Sequence, residues 1–178
     1  MKRATRAGFT LVEIMIVVAI IALLAAIAIP NVLRGRTTAN ESASIGNLRA
    51  LLSSLEMYRS VYQAYPSPDG AAFKTGMYGA NCTGASPEPD YGPPSFCKTL
   101  DGSVGNALVQ GYQYTYAGVG GTTYTLQGAP QSGSTGSRSF TVTEAGLIYH
   151  CSGTTPVTAA QIAAGGVATI DQAPLNCP

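Results

Sequence analysis

The 178 residues carry ten basic and nine acidic side chains, four cysteines and a single histidine, for a formal net charge of +1. Three of the cations, Lys2, Arg3 and Arg6, lie in the first eight positions, so the remainder is weakly acidic and lacks the basic face or stripe of a nucleic-acid binder. With one histidine and no C-x-x-C pair, the composition points to no metal, no cofactor and no dithiol redox centre.

The first element is continuous apolar sequence. From Phe9 to Ile29 run 21 residues with Glu13 as their sole charge. At about 1.5 Å each they can cross a hydrocarbon core of roughly 30 Å as a helix. An ordinary secretory signal would use MKRATR as its charged region and Ala26-Ile27-Ala28 as its cleavage site, but the apolar stretch of such a signal is normally about 7 to 15 residues long and uncharged. A plain anchor with its basic end in the cytoplasm accounts for the topology and leaves Glu13 unexplained. An acid within a membrane span is costly and marks a partner, a pathway or a functional contact.

Gly8-Phe9-Thr10-Leu11-Val12-Glu13, followed by IMIVVAIIALLAAIAIP ending at Pro30, closely resembles the class III leader junction of bacterial type IV pilins and type II secretion pseudopilins. The resemblance covers residues 3–62 and is only architectural beyond them. It implies a leader of residues 1–8, cleavage after Gly8 and methylation of the new Phe9 amine by a membrane-embedded prepilin peptidase, to which the catalytic groups belong. It also implies a structural subunit and not an enzyme: a single-pass prepilin of the inner membrane, assembled by a platform and an ATPase into a helical homopolymer. The product would be an extracellular pilus or a periplasmic pseudopilus. Phe9, Glu13 and Pro30 are the implied assembly residues, the Phe9 amine of an entering subunit pairing with Glu13 of the subunit above.

Many members of that family carry glycine where this chain has Ala22. Alanine favours helix by about 1 kcal/mol over glycine, which leaves open how far the stretch up to Pro30 melts as it can in assembled relatives, while Pro30 is still expected to break the helix locally. Between the two kinds of filament, the larger domain and two expected disulfides favour the pilus. Major secretion pseudopilins are usually shorter and often carry a carboxylate-rich calcium loop near the C-terminus, where this chain has only Asp171 after Glu144.

After Pro30 the pattern turns amphipathic, with Ile45, Leu48, Leu52, Leu55 and Tyr62 on one stripe and Arg49, Ser53, Glu56 and Ser60 between them. The expected segments are therefore 9–29, the membrane-spanning or filament-core half of a long helix; 30–62, its amphipathic half, weakened near Gly35 and Gly46; and 63–178, a C-terminal globular domain. Ala64-Tyr65-Pro66-Ser67-Pro68-Asp69-Gly70 ends the helix. A long irregular connection is expected from Ala71 to Asn106.

Strand signals then arrive together. Tyr112, Tyr114 and Tyr116 alternate with Gln113 and Thr115, Gly118-Val119-Gly120-Gly121 turns, and Thr123 to Gln127 alternates again, a β-hairpin. Gly120-Gly121 precedes a strand and carries no Lys-Ser/Thr, so it reads as a turn and not as a phosphate-cradling loop. Further strands are expected at Ser139 to Thr143 and Leu147 to Cys151, with His150 a surface residue at a strand end, and a short helix around Thr158 to Ala164. The expected fold is α+β: a long N-terminal helix packed on a four-stranded antiparallel sheet with disulfide-tied loops.

Cys82, Cys97, Cys151 and Cys177 all follow the apolar segment, and an even number in an exported domain points to two disulfides with three possible connectivities. The pairing adopted is Cys82 with Cys97, closing a loop of 14 residues, and Cys151 with Cys177, which looks like the C-terminal disulfide loop of many type IV pilins. Ten tyrosines and four phenylalanines invite thoughts of electron transfer or adhesion, but hairpin tyrosines ordinarily pack sheets. Asn40-Glu41-Ser42 and Asn81-Cys82-Thr83 match a glycosylation sequon, of little weight in a bacterial-looking chain. No Ser/His/Asp, Cys/His or paired-carboxylate constellation can be assembled. A membrane-anchored exported binding domain is the remote alternative.

Overall fold

The computed structural model describes residues 9–68, 70–78, 91–97, 108–165, 167–172 and 175–176. The chain divides into two compact units, the first ending at Arg36 and the second beginning at Thr37. Helix α1 (Leu11–Tyr62) contributes to both.

In the first unit the apolar side chains of α1 are exposed, and it is the one helix among the described residues long and apolar enough to cross a membrane. It runs through Pro30, Gly35 and Gly46 without interruption, so the local break expected at Pro30 and the weakening at the glycines do not divide it. A proline deletes one donor from the ladder and a glycine costs about 1 kcal/mol; neither removes the neighbouring bonds that propagate a long helix.

The second unit continues from α1 through α2 (Gly70–Tyr78) and a 3-10 turn at Pro94–Phe96 to β1 (Tyr112–Val119), β2 (Thr123–Pro130), β3 (Arg138–Thr143) and β4 (Ile148–Ser152). α3 (Ala159–Ala164), β5 (Ala168–Thr169) and β6 (Leu175–Asn176) complete it. The four expected strands pair antiparallel in sequence order, and β5 and β6 both add to β4, making six strands in place of four. Two-residue strands carry no alternation to read; they form because the edge of β4 offers unpaired backbone groups. α2 falls within the stretch expected to be irregular, with Phe73 and Met77, one helical turn apart, both fully buried.

The register explains the core. Along β1 the tyrosines at 112, 114 and 116 face inward and the residues between them face out. They meet Tyr124 and Leu126 of β2, Phe140 and Val142 of β3 and Ile148 of β4, all against Leu48, Leu51 and Leu55 of α1. Full burial of such a side chain contributes about 1.5–3 kcal/mol. Leu51 belongs to this face and Tyr62 does not, being 41% exposed, a correction to the stripe expected from sequence. The helix stops at Tyr62 because Gln63 turns left-handed at φ 56° and Pro66 follows. Gly118 is required where it stands: its N–H donates to Pro68 O at 2.8 Å, and a Cβ there would collide with Pro66 O.

Buried polar groups lock the helix to the sheet. Tyr114 donates to Ser44 Oγ at 3.1 Å, Tyr116 to Pro66 O at 2.6 Å and Tyr112 to Arg138 O at 2.8 Å. Glu41, 6% exposed, accepts from the Ser137 backbone at 2.8 Å, from Ser137 Oγ at 2.7 Å and from two guanidinium nitrogens of Arg138 at 2.8 Å each. His150, expected at the surface, is 1% exposed. Its Nδ1 lies 3.4 Å from Arg138 Nη1 and its Nε2 3.0 Å from Gln172 O. The carbonyl calls for an N–H on Nε2 and the guanidinium for a lone pair on Nδ1.

Burial alone would raise the Glu41 pKa, but the hydrogen bonds from Ser137 and the bond and charge of Arg138 together lower it. A carboxylate depressed in the folded state adds stability that is complete above the unfolded value, near 4.3, and is lost as pH falls through and below it. Glu41→Gln is therefore expected to destabilise the detergent-solubilised chain by about 1–3 kcal/mol at neutral pH, since it takes the carboxylate from a partly exposed Arg138 and leaves weaker bonds to Ser137. It should also flatten the acid limb of thermal stability measured by circular dichroism; an acid limb as steep as that of the parent would contradict this assignment.

Candidate assembly site

At the N-terminal end, Gly8 lies outside the described residues and Phe9 is 78% exposed. α1 starts at Leu11, and the Thr10 carbonyl accepts from Ile14 N–H at 3.4 Å. The Thr10 hydroxyl oxygen accepts from Glu13 N–H at 3.2 Å. Glu13 thus stands in the first turn, where the uncompensated N–H groups of a helix favour negative charge. It is exposed, and no ion pair with another described residue engages it. Pro30 is also exposed, inside α1.

The structure therefore brings Phe9 and Glu13 to one helix end and leaves Pro30 remote from them in sequence. Thr10, which the sequence reading did not single out, holds that end. Its signal was present in Thr10-Leu11-Val12-Glu13, a threonine followed three positions later by glutamate, ahead of an apolar run.

Cys97 and Cys151 are buried and disulfide-bonded; Cys82 and Cys177 lie outside the described residues. β6 runs parallel to β4 with Leu175 opposite Cys151. Of the two sequons, Asn81 is outside the described residues, and the Asn40 amide is committed to Thr135 O at 2.9 Å. Among the described residues no three metal-ligating side chains come together. The hairpin tyrosines line the core, as sheet-packing residues do.

The family described as Prokaryotic N-terminal methylation motif matches residues 3–29. The chain is 32% identical over 139 residues to a type II secretion system core protein G of Vibrio cholerae, a match covering 76% of this chain and 89% of that protein. It is 40% identical over 67 residues to the protein of the same name in Pseudomonas aeruginosa, covering 38% of this chain. It is 41% identical over 70 residues to the type IV wide pilus major component PilA4 of Thermus thermophilus, covering 39%. The match spans only about half the length of those last two relatives, 47% and 53%. No solved structure matches the chain significantly.

Proposed function

Because this chain belongs to the superfamily of bacterial type IV pilins and type II secretion pseudopilins, we propose that it is the structural subunit of a pilus-like helical filament. In this reading it waits in the inner membrane as a prepilin, is cleaved after Gly8 and methylated on Phe9, and is passed by a platform and an ATPase into a homopolymer built on α1. The observation that carries it is α1 itself: an apolar stretch whose side chains are all exposed or nearly so, with one carboxylate in its first turn. An apolar surface of that length needs either lipid or other helices around it, and repeated heterologous contacts between copies provide helices without limit.

Glu13 takes its role from the same reading. The amine of a processed Phe9 in an entering subunit pairs with Glu13 of the subunit above. Such a pair in low dielectric sets register more surely than it adds stability. The Cys82–Cys97 and Cys151–Cys177 pairing is part of the proposal, supported by the oxidised state of Cys97 and Cys151 and by the β6 register. Assignment as a secretion pseudopilin has comparable support, since the Vibrio cholerae relative, matched over 89% of its length, is named a type II secretion system core protein. Deleting the gene separates the two: loss of surface filaments with normal protein export identifies a pilin, and loss of export identifies a pseudopilin.

Co-expression with a prepilin peptidase is expected to shorten the chain by the eight residues before Phe9 and to add one methyl group, read by intact-mass spectrometry; an N-terminus at Ile29 would instead show an ordinary secretory signal. Glu13→Leu should insert into the membrane as well as the parent and yield few filaments in the sheared surface fraction. Ordered filaments at parental numbers would remove the assigned role of the carboxylate. Thiol titration of the denatured, unreduced protein should find no free cysteine, and two titratable thiols would refute the two-disulfide framework.

A further inference from the structure

We infer that Arg34 and Arg36 form a collar that docks on the phosphate headgroups of the leaflet opposite the leader, and so set the depth at which α1 waits in the membrane. This rests on the membrane-inserted stage of the reading above. Both arginines are exposed and stand at the end of the first unit. Between Glu13 and Arg34 lie 20 residues, 14–33, none of them charged. In a helix that runs on through Pro30, at about 1.5 Å each, they span roughly 30 Å, the thickness of a hydrocarbon core. One acid and two cations therefore frame the apolar surface at its two interfaces.

The charges around this end favour an anionic surface. Glu13 is the sole acid of the first unit, and Glu41, the next along the chain, is committed to Ser137 and Arg138. The outer end of the apolar stretch thus carries net positive charge within its own unit, and the phosphates of a bilayer surface are the complementary groups at that depth. Two positions apart on a helix of 3.6 residues per turn, the arginines leave the axis about 200° from each other, so they reach headgroups on both sides of α1. A guanidinium offers a planar fork of donors that matches phosphate, and its apolar stem lets the charge reach the interface while the backbone stays at the hydrocarbon edge. Cleavage after Gly8 sharpens the effect. It removes Lys2, Arg3 and Arg6 and leaves Arg34 and Arg36 as the only basic side chains of the first unit. With the collar on the phosphates, Glu13 stays at the opposite interface, where a carboxylate costs less than at the bilayer centre.

The test uses the full chain in vesicles. It has no tryptophan, so Ile29→Trp, five positions before Arg34, is a sole depth reporter, read with lipids brominated at shallow or deep acyl positions. In vesicles of phosphatidylethanolamine and phosphatidylglycerol, adding Arg34→Gln and Arg36→Gln is expected to let this end sink, raising the ratio of deep to shallow quenching about 2-fold. Arg34→Lys with Arg36→Lys should keep the parental ratio. In vesicles of a diglycosyl diacylglycerol, which carry no phosphate, the parent should read like the glutamine variant. A parental ratio in the glutamine variant would overturn the collar, and a parental ratio without lipid phosphate would overturn the partner. A ratio that rises when inorganic phosphate is added would show a site for any phosphate and overturn the commitment to headgroups. A reporter that neither lipid quenches would overturn the membrane stage on which this inference rests. A chain that inserts at the expected depth and yields no filaments would overturn the filament reading alone.

Discussion

One helix must satisfy two solvents, and the rest of the structure follows from that requirement. In its first unit α1 carries apolar side chains on every face with its own hydrogen bonds closing the backbone, the only arrangement besides a closed barrel that lipid tolerates. In its second unit it offers a single leucine face, Leu48, Leu51 and Leu55, to the sheet and a polar face to water. Along the residues of α1 the side chains change from apolar on every face to amphipathic.

The two acids nearest the ends of that transition are treated in opposite ways. Glu41 is enclosed by its own chain, with Ser137 and Arg138 satisfying both oxygens, because an unpaired carboxylate at that depth would cost several kcal/mol. Glu13 has no ion-pair partner among the described residues and keeps only backbone support from Thr10. A buried charge with all its partners is a structural clamp, whereas the acid in the apolar run has backbone support alone among the described residues.

The sheet is adapted to the clamp through its tyrosines. Phenylalanine would fill the same space in β1, but the hydroxyls of Tyr112, Tyr114 and Tyr116 reach Arg138 O, Ser44 and Pro66 O, tying β1 to β3, to α1 and to the segment after α1. Burial raises the pKa of each, so these hydroxyls stay protonated donors throughout the pH range of life. Tyr124 makes ring contacts with Tyr65 and Tyr116 in the same cluster.

The apolar run with its single acid, the end of α1 at Tyr62, the four main strands and the short helix after Thr158 were all legible in the sequence, because each rests on local periodicity or on a nearby breaker. The methylation motif matched over residues 3–29 was legible for the same reason: its residues are contiguous. Tertiary structure alone decided the burial of His150, which depends on Arg138 twelve positions away and Gln172 twenty-two away. It also decided the clamp at Glu41, whose partners lie 96 and 97 positions further on. α2, β5 and β6 were hidden because short segments owe their form to the surface they pack or pair against. Hydrophobic period is a property of neighbours in the chain, whereas the partner of a buried charge is a property of neighbours in space.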